Sequence, residues 1–228
     1  MRILVVTNFY PPHELGGQGR SCQRAVEGLR RRGHTVAVLT SMHGTKNRMQ
    51  EGEGIYRWLY LEMDFTPWRN SLTFFTARHA REAHNLERLE HLFVHFTPDV
   101  VFVWGMWNLP RSLPARVEAL AGTGVLYRFA EYWPTLPSQH EQYWREPARR
   151  WWSQLPKRLM RPFALRQLSR EPRPTLKFRH AICVSAATRD NLVAAGVPVQ
   201  NAAIVHTGID VAPFPPRVAG ASTATPDA

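Results

Sequence analysis

The sequence predicts an α/β fold: a doubly wound parallel sheet with a helical insertion rich in Trp and Arg. Three observations carry this. Short apolar runs recur along the chain (Ile3–Val6, Val36–Leu39, Val100–Trp104, Val125–Ala130, Ala181–Val184), as expected of strands covered on both faces. Segments with apolar residues at the 3.6-residue period alternate with them. Glycines and prolines such as Gly33, Pro98, Gly122 and Gly196 mark the joints, where helices stop. Regular alternation of this kind means parallel strands joined by helical crossovers. Ligands of such sheets bind beyond the carboxyl ends of the strands.

The first forty residues form a βαβ unit. Ile3-Leu-Val-Val is followed by a turn containing Pro11, Pro12, Gly16, Gly17 and Gly19, then by a helix from about Gly19 to Arg32. Cys22, Ala25, Val26 and Leu29 make its apolar stripe, and Val36–Thr40 is the second strand. Residues 41–54 read as a loop, Ile55–Met63 as a third strand and Leu72–Phe96 as one long helix, with His79 as a core or boundary histidine. Val100–Trp104, a short helix over Leu113–Ala121 and the strand Val125–Ala130 continue the alternation. Between Trp133 and Pro174 six prolines interrupt an Arg- and Trp-rich stretch, which predicts two or three short, kinked helices. Ala181–Val184, a helix over Ser185–Ala195 with Ser185 as N-cap, and Ala203–His206 complete the sheet. Residues 1–214 are thus one domain, and 215–228 form a disordered tail of low complexity.

Composition narrows the function. With 44% apolar residues in 228, the chain can fill a core, and no run approaches the ~20 apolar residues that span a bilayer. The N-terminus lacks the pattern of a signal peptide, so cytoplasmic folding is expected. Cys22 and Cys183 have no CxxC partner and read as buried thiols, with no metal site. The net charge of +11 comes almost entirely from arginine. It suits phosphorylated ligands or an anionic membrane surface on the inner face; nucleic acid is disfavoured because no DNA- or RNA-reading motif is present.

The Gly-rich turn leaves backbone N–H groups at the start of a helix, a geometry suited to phosphate. A dinucleotide fingerprint would need a third glycine at Cys22 and an acid after the second strand, where Thr40-Ser41 stands, so nicotinamide binding is disfavoured. Arg20 in the first helical turn opposes the helix dipole, a placement that fits an anion in the turn; an exposed arginine is the alternative. Glu131-Tyr132-Trp133 at a strand end could meet sugar hydroxyls or a sugar face. A Glu131–Arg128 pair and a core Trp133 are the structural alternative.

Together these segments resemble the N-terminal, acceptor-side domain of the family 4 glycosyltransferases, which are retaining enzymes of the Rossmann-like GT-B fold. The opening Ile3-Leu-Val-Val-Thr-Asn-Phe-Tyr-Pro-Pro resembles the family's first strand. Gly16-Gly17 with Arg32-Gly33-His34-Thr35-Val36 is similar to its glycine loop and helix end. Pro98-Asp99-Val-Val, Ala130-Glu131-Tyr132-Trp133-Pro134, Val184-Ser185 and Gly208-Ile209-Asp210 with Phe214 follow in the family's order.

The resemblance implies that Gly16 and Gly17 meet the diphosphate of a nucleotide-diphosphate sugar, and Arg20, from its place in the first helical turn, would neutralise its charge. It places Trp133, Tyr132 and Trp107 on a glycan or lipid-linked acceptor, and Glu131 at the reaction centre. The nucleotide sugar is a substrate, and no cofactor is expected. Ala130 and Glu131 stand where the family has His and Asp, so an imidazole is lost there. The family's second, donor-binding domain is expected either from a separate polypeptide or from a longer chain of which this is a truncated product. A non-catalytic binding or regulatory module on the same fold is the alternative.

The stretch Trp144–Arg179 has two readings: an interfacial surface for anionic lipid, or a helical subdomain whose tryptophans pack on the sheet. The prolines favour the second.

Overall fold

The structure is a computed structural model that describes residues 1–46, 48–65, 67–148 and 151–208; for 67–69, 152 and 153 only the backbone is described. Ile209, Asp210, Phe214 and the tail 215–228 lie outside the described residues, as does the side chain of Trp152.

In chain order the elements are β1 (Arg2–Thr7), α1 (Gly17–Arg31), β2 (Thr35–Ser41), β3 (Gln50–Gly52), β4 (Ile55–Leu59), α2 (Pro67–Thr76), α3 (Arg78–Phe96), β5 (Val100–Gly105), α4 (Ser112–Ala121), β6 (Val125–Phe129), α5 (Gln139–Arg145), α6 (Trp151–Arg170), β7 (His180–Cys183), α7 (Ala186–Ala194) and β8 (Ala203–Ile204). They form one eight-stranded sheet in the order β3-β4-β2-β1-β5-β6-β7-β8. Every neighbouring pair is parallel except the β3–β4 hairpin. The chain order reverses between β1 and β5, so the crevice of a doubly wound sheet opens at that point.

Alternation along β1 shows why the sheet is covered on both sides. Ile3 and Val5 pack with Cys22 and Val26 of α1. Leu4 and Val6 face the larger core with Leu89 and Leu92 of α3, Leu113 and Val117 of α4, and Leu192 of α7. Both cysteines are buried free thiols. Ser185 caps α7 by accepting from the Thr188 N–H at 3.1 Å, and Gly196 ends the segment with φ +83°.

Four sequence expectations are corrected. The loop 41–54 contains β3, joined to β4 through Glu53 and Gly54, both with positive φ; two such residues give the twist that a tight hairpin needs. The third strand stops at Leu59. The long helix divides at Ala77 (φ −129°). Phe74 then becomes the buried residue, with Leu72 and Phe75 exposed, and the His79 side chain is exposed and lies 3.8 Å from Glu171. The Pro-rich stretch holds a continuous 20-residue helix, α6, through Pro156 and Pro162. Both prolines are exposed, so their rings sit on the solvent side of the helix, where an interruption is tolerated.

Trp144 is fully buried with Phe74 and Ala164 in a satellite core beneath α5 and α6. Trp151 is 85% exposed. The tryptophans of this stretch therefore divide between packing and surface.

Candidate functional site

The crevice is built first by α1. Gly16 takes φ +77°, which a side chain would resist, and turns the chain into the helix. Among the described residues no side chain caps α1, and its first turn has no acid. A Cβ on Gly16 or Gly17 would meet nothing within 4 Å, so the side-chain side of the turn is open. Such an end favours an anion through its unpaired donors and the helix dipole.

The strand ends close around this turn. The Asn8 N–H donates to the Gly105 carbonyl at 2.8 Å, and Asn8 Nδ2 donates to the Trp107 carbonyl at 2.9 Å. These bonds tie the segment after β1 to the segment after β5. Gly105 is needed here: a Cβ would lie 2.8 Å from Asn8 Oδ1 and 3.0 Å from Gln18 Oε1.

Glu131, just past β6, completes the arrangement. Burial raises its pKa; the Trp107 backbone, the Arg128 charge and the Gln18 side chain act in the opposite direction. Its Oε1 is buried with no hydrogen-bond partner among the described residues. Arg128 is itself buried, stacked 4.2 Å from the Trp104 ring centre, and its Nη2 donates to Thr207 Oγ1 at 2.7 Å. Nη1 has no partner among the described residues. Burial holds the Arg128 pKa below its ordinary value, with Cys22 and Glu131 opposing. A carboxylate and a guanidinium, each with an unused polar atom, therefore sit beside an open helix N-terminus. Groups of this kind are costly to bury unless something bonds to them.

Arg20 is placed differently from its companions. It is 71% exposed, and its Nε donates to Glu14 Oε1 at 2.8 Å. The turn's own acid thus supplies its counter-charge. Tyr132 is exposed at the rim, where its hydroxyl accepts from Asn191 Nδ2 at 3.1 Å. Trp107 is half-buried in an aromatic wall with Phe9, His43 and Phe65, at centroid separations of 4.9–6.4 Å. Trp133 departs from the ligand-facing expectation. It is 6% exposed and packs against Phe129 and Phe178, so its ring faces belong to the core.

A second feature lies beyond the ends of β4, β5 and β6: a charged cavity of about 140 Å³ enclosed by α3, α5 and the chain after α6. Glu62, Arg78, Arg111, His140, Glu141 and Arg173 help to line it. Glu62 accepts from the Gln139 N–H at 2.7 Å. Burial pushes its carboxyl up to about 7, against the Gln139 bond and the arginine charges and with help from Glu82. Burial, reinforced by Arg78 and Arg81, lowers His140 to about 3.

Sequence reasoning did not single out Gln18, Arg128 as a ligand group, Glu62 or Arg78. Gln18 stood inside the recognised turn, and Arg128 appeared only as a counter-ion. Glu62 and Arg78 come together through tertiary packing, which no local pattern reveals.

A doubly wound sheet with an uncapped helix end, a carboxylate and an aromatic wall at its switch point defines an α/β domain of the kind whose ligands bind at the strand ends. The family model Glycosyltransferase Family 4 matches residues 15–213, and the chain belongs to that family. No curated protein matches the chain. Membership supports a glycosyltransferase-type function acting on a sugar donor and an acceptor. Among the described residues no helix is long and apolar enough to cross a membrane.

Proposed function

We propose that this domain binds the acceptor and helps to position a nucleotide-diphosphate sugar for retaining glycosyl transfer, with a donor-binding domain closing over the crevice. The observation that carries this reading is the juxtaposition of the open N-terminus of α1 with the unpartnered Glu131 Oε1. The donor diphosphate lies against the N–H groups of Gly16 and Gly17. Arg20, exposed and held by one acid, exchanges Glu14 for phosphate. Glu131 accepts a hydrogen bond from a hydroxyl of the acceptor or the transferred sugar, and burial, by raising its pKa, makes it a better proton acceptor than an ordinary carboxylate. Trp107 and Tyr132 contact a glycan or lipid-linked acceptor. Closure by the second domain excludes water and strengthens every charge interaction in the crevice.

Calorimetry with a panel of nucleotide-diphosphate sugars tests this. Binding by the parent chain that drops at least tenfold in Gly17→Asp, where a carboxylate would face the diphosphate, supports the reading. Binding that survives this substitution unchanged removes the turn as the phosphate site. No binding by the parent removes the transferase role for this chain and favours a binding or regulatory module.

A further inference from the structure

Helix α6 turns its apolar side outward. Ala164 is fully buried, Leu168 packs on the satellite core, and Lys157 Nζ sits 3.8 Å from the Tyr143 ring centre; these residues define the inward face. On the opposite side, Trp151, Leu155, Leu159 and Phe163 follow one another at four-residue spacing, 85%, 67%, 65% and 73% exposed. Four large apolar side chains in one stripe are far more than the scattered exposure normal on a soluble surface. The charges of the helix are all of one sign. From Trp151 to Arg170 it carries Lys157, Arg158, Arg161, Arg166 and Arg170, with no Asp or Glu. The four arginines are exposed; Arg158 flanks the stripe, and Arg166 and Arg170 continue it toward the helix end.

We propose that α6 is a membrane-docking element that lies in the plane of an anionic lipid surface, its stripe inserted at headgroup depth and its arginines on lipid phosphates. Two arguments select this occupant. An apolar face flanked only by cations, with an aromatic residue at each end, matches an interfacial helix. Each nearby cation adds attraction to an anionic leaflet. A second copy of this chain is the poorer fit, because α6 packed on α6 would bring two all-cationic helices together without counter-charges. The proposal is independent of which sugar is transferred.

The test is vesicle flotation of the full chain on phosphatidylcholine alone and on phosphatidylcholine with phosphatidylglycerol. Binding to the anionic vesicles only, weakening as salt rises, is expected. Leu155→Asp/Leu159→Asp should weaken it by about tenfold or more while leaving the thermal unfolding midpoint in place, since both positions face solvent. Arg158→Glu/Arg161→Glu should weaken it with a reduced salt dependence. The proposal is overturned by an absence of anionic binding at low salt, by equal binding to neutral vesicles, or by binding that the leucine variants leave intact. It is also overturned if the chain forms a dimer that Leu155→Asp/Leu159→Asp dissolves, or if α6 captures a soluble acidic protein while ignoring vesicles.

Discussion

Arg78 reaches Glu171 from inside the protein. Its side chain is 4% exposed, and Nη2 lies 2.5 Å from Glu171 Oε1. The guanidinium carbon sits 4.3 Å from the ring centre of Phe74. The pair therefore joins the start of α3 to the chain following α6, and holds the helical insertion against the sheet domain. A cation buried to this degree needs its acid, since an unpaired charge in a low dielectric is strongly unfavourable.

Glu171→Gln keeps the shape and removes the charge. Loss of a partner in a fully buried pair costs about 3–5 kcal/mol. Glu171 is partly open to water, so the expected loss is about 2 kcal/mol, read as a lower urea midpoint with an unchanged slope. An unaltered midpoint would show that Phe74 and the neighbouring acids hold Arg78 without Glu171.

Two groups of the charged cavity give opposite pH dependences. Glu62 titrates near 4.5 when unfolded and at about 7 when folded, so between these values the folded chain binds more protons. Its contribution is complete below pH 4.5 and is lost as pH rises through 7. His140 titrates at 6.5 unfolded and at about 3 folded; its contribution is complete above pH 6.5 and is lost as pH falls through 3. Glu62→Gln should therefore gain stability relative to the parent between pH 5 and 8, by about 1–3 kcal/mol. His140→Gln should flatten the acid limb instead. Denaturant titrations at pH 4, 5, 6.5 and 8 measure both, and a parent–variant difference that is constant with pH would contradict the assignment.

The sheet was legible because its signals are local. Apolar runs such as Ile3–Val6 and Val100–Trp104 can hardly be anything but buried strands, and the helix stop at Gly33 is chemical. The open turn at Gly16-Gly17 and the strand-end position of Glu131 were legible for the same reason. The break at Ala77 was not, because the register on either side suits a helix and packing of Phe74 against Trp144 decides it. Pro156 and Pro162 argued against α6, since local rules price the lost hydrogen bond without knowing that both rings lie on the solvent side of the helix. The burial of Trp133 was not legible, because adjacency to Glu131 cannot say which of two neighbouring aromatics turns inward. Phe178, distant in sequence, supplies its partner.

Trp133 tests core against ligand contact. Its packing on Phe129 and Phe178 predicts a loss of about 3–5 kcal/mol for Trp133→Ala. Trp133→Phe, which preserves an apolar ring, should cost less than half as much. Acceptor or sugar affinity of folded Trp133→Phe should match the parent, while Trp107→Ala, on the crevice wall, should weaken acceptor binding with little loss of stability. A selective affinity loss in Trp133→Phe would return this ring to the site.

The ion pair on the glycine turn makes a prediction of unusual sign. Glu14 is half-buried, and its pKa is lowered first by the hydrogen bond from Arg20. In the proposed complex Arg20 must leave this acid, and the Glu14 charge stays near the incoming diphosphate. Glu14→Gln removes both the competing acceptor and the repulsion, so nucleotide-diphosphate sugar should bind more tightly, by about three- to tenfold at low salt. The gain should shrink as ionic strength rises, because Arg20 is open to solvent. Arg20→Gln alone should weaken binding by a similar factor, and Glu14→Gln added to it should restore little, so the double variant should bind more weakly than the parent. A cycle measured by calorimetry reads the coupling directly. If the two substitutions are additive, Arg20 does not exchange partners, and Gly16 and Gly17 hold the diphosphate with backbone groups alone.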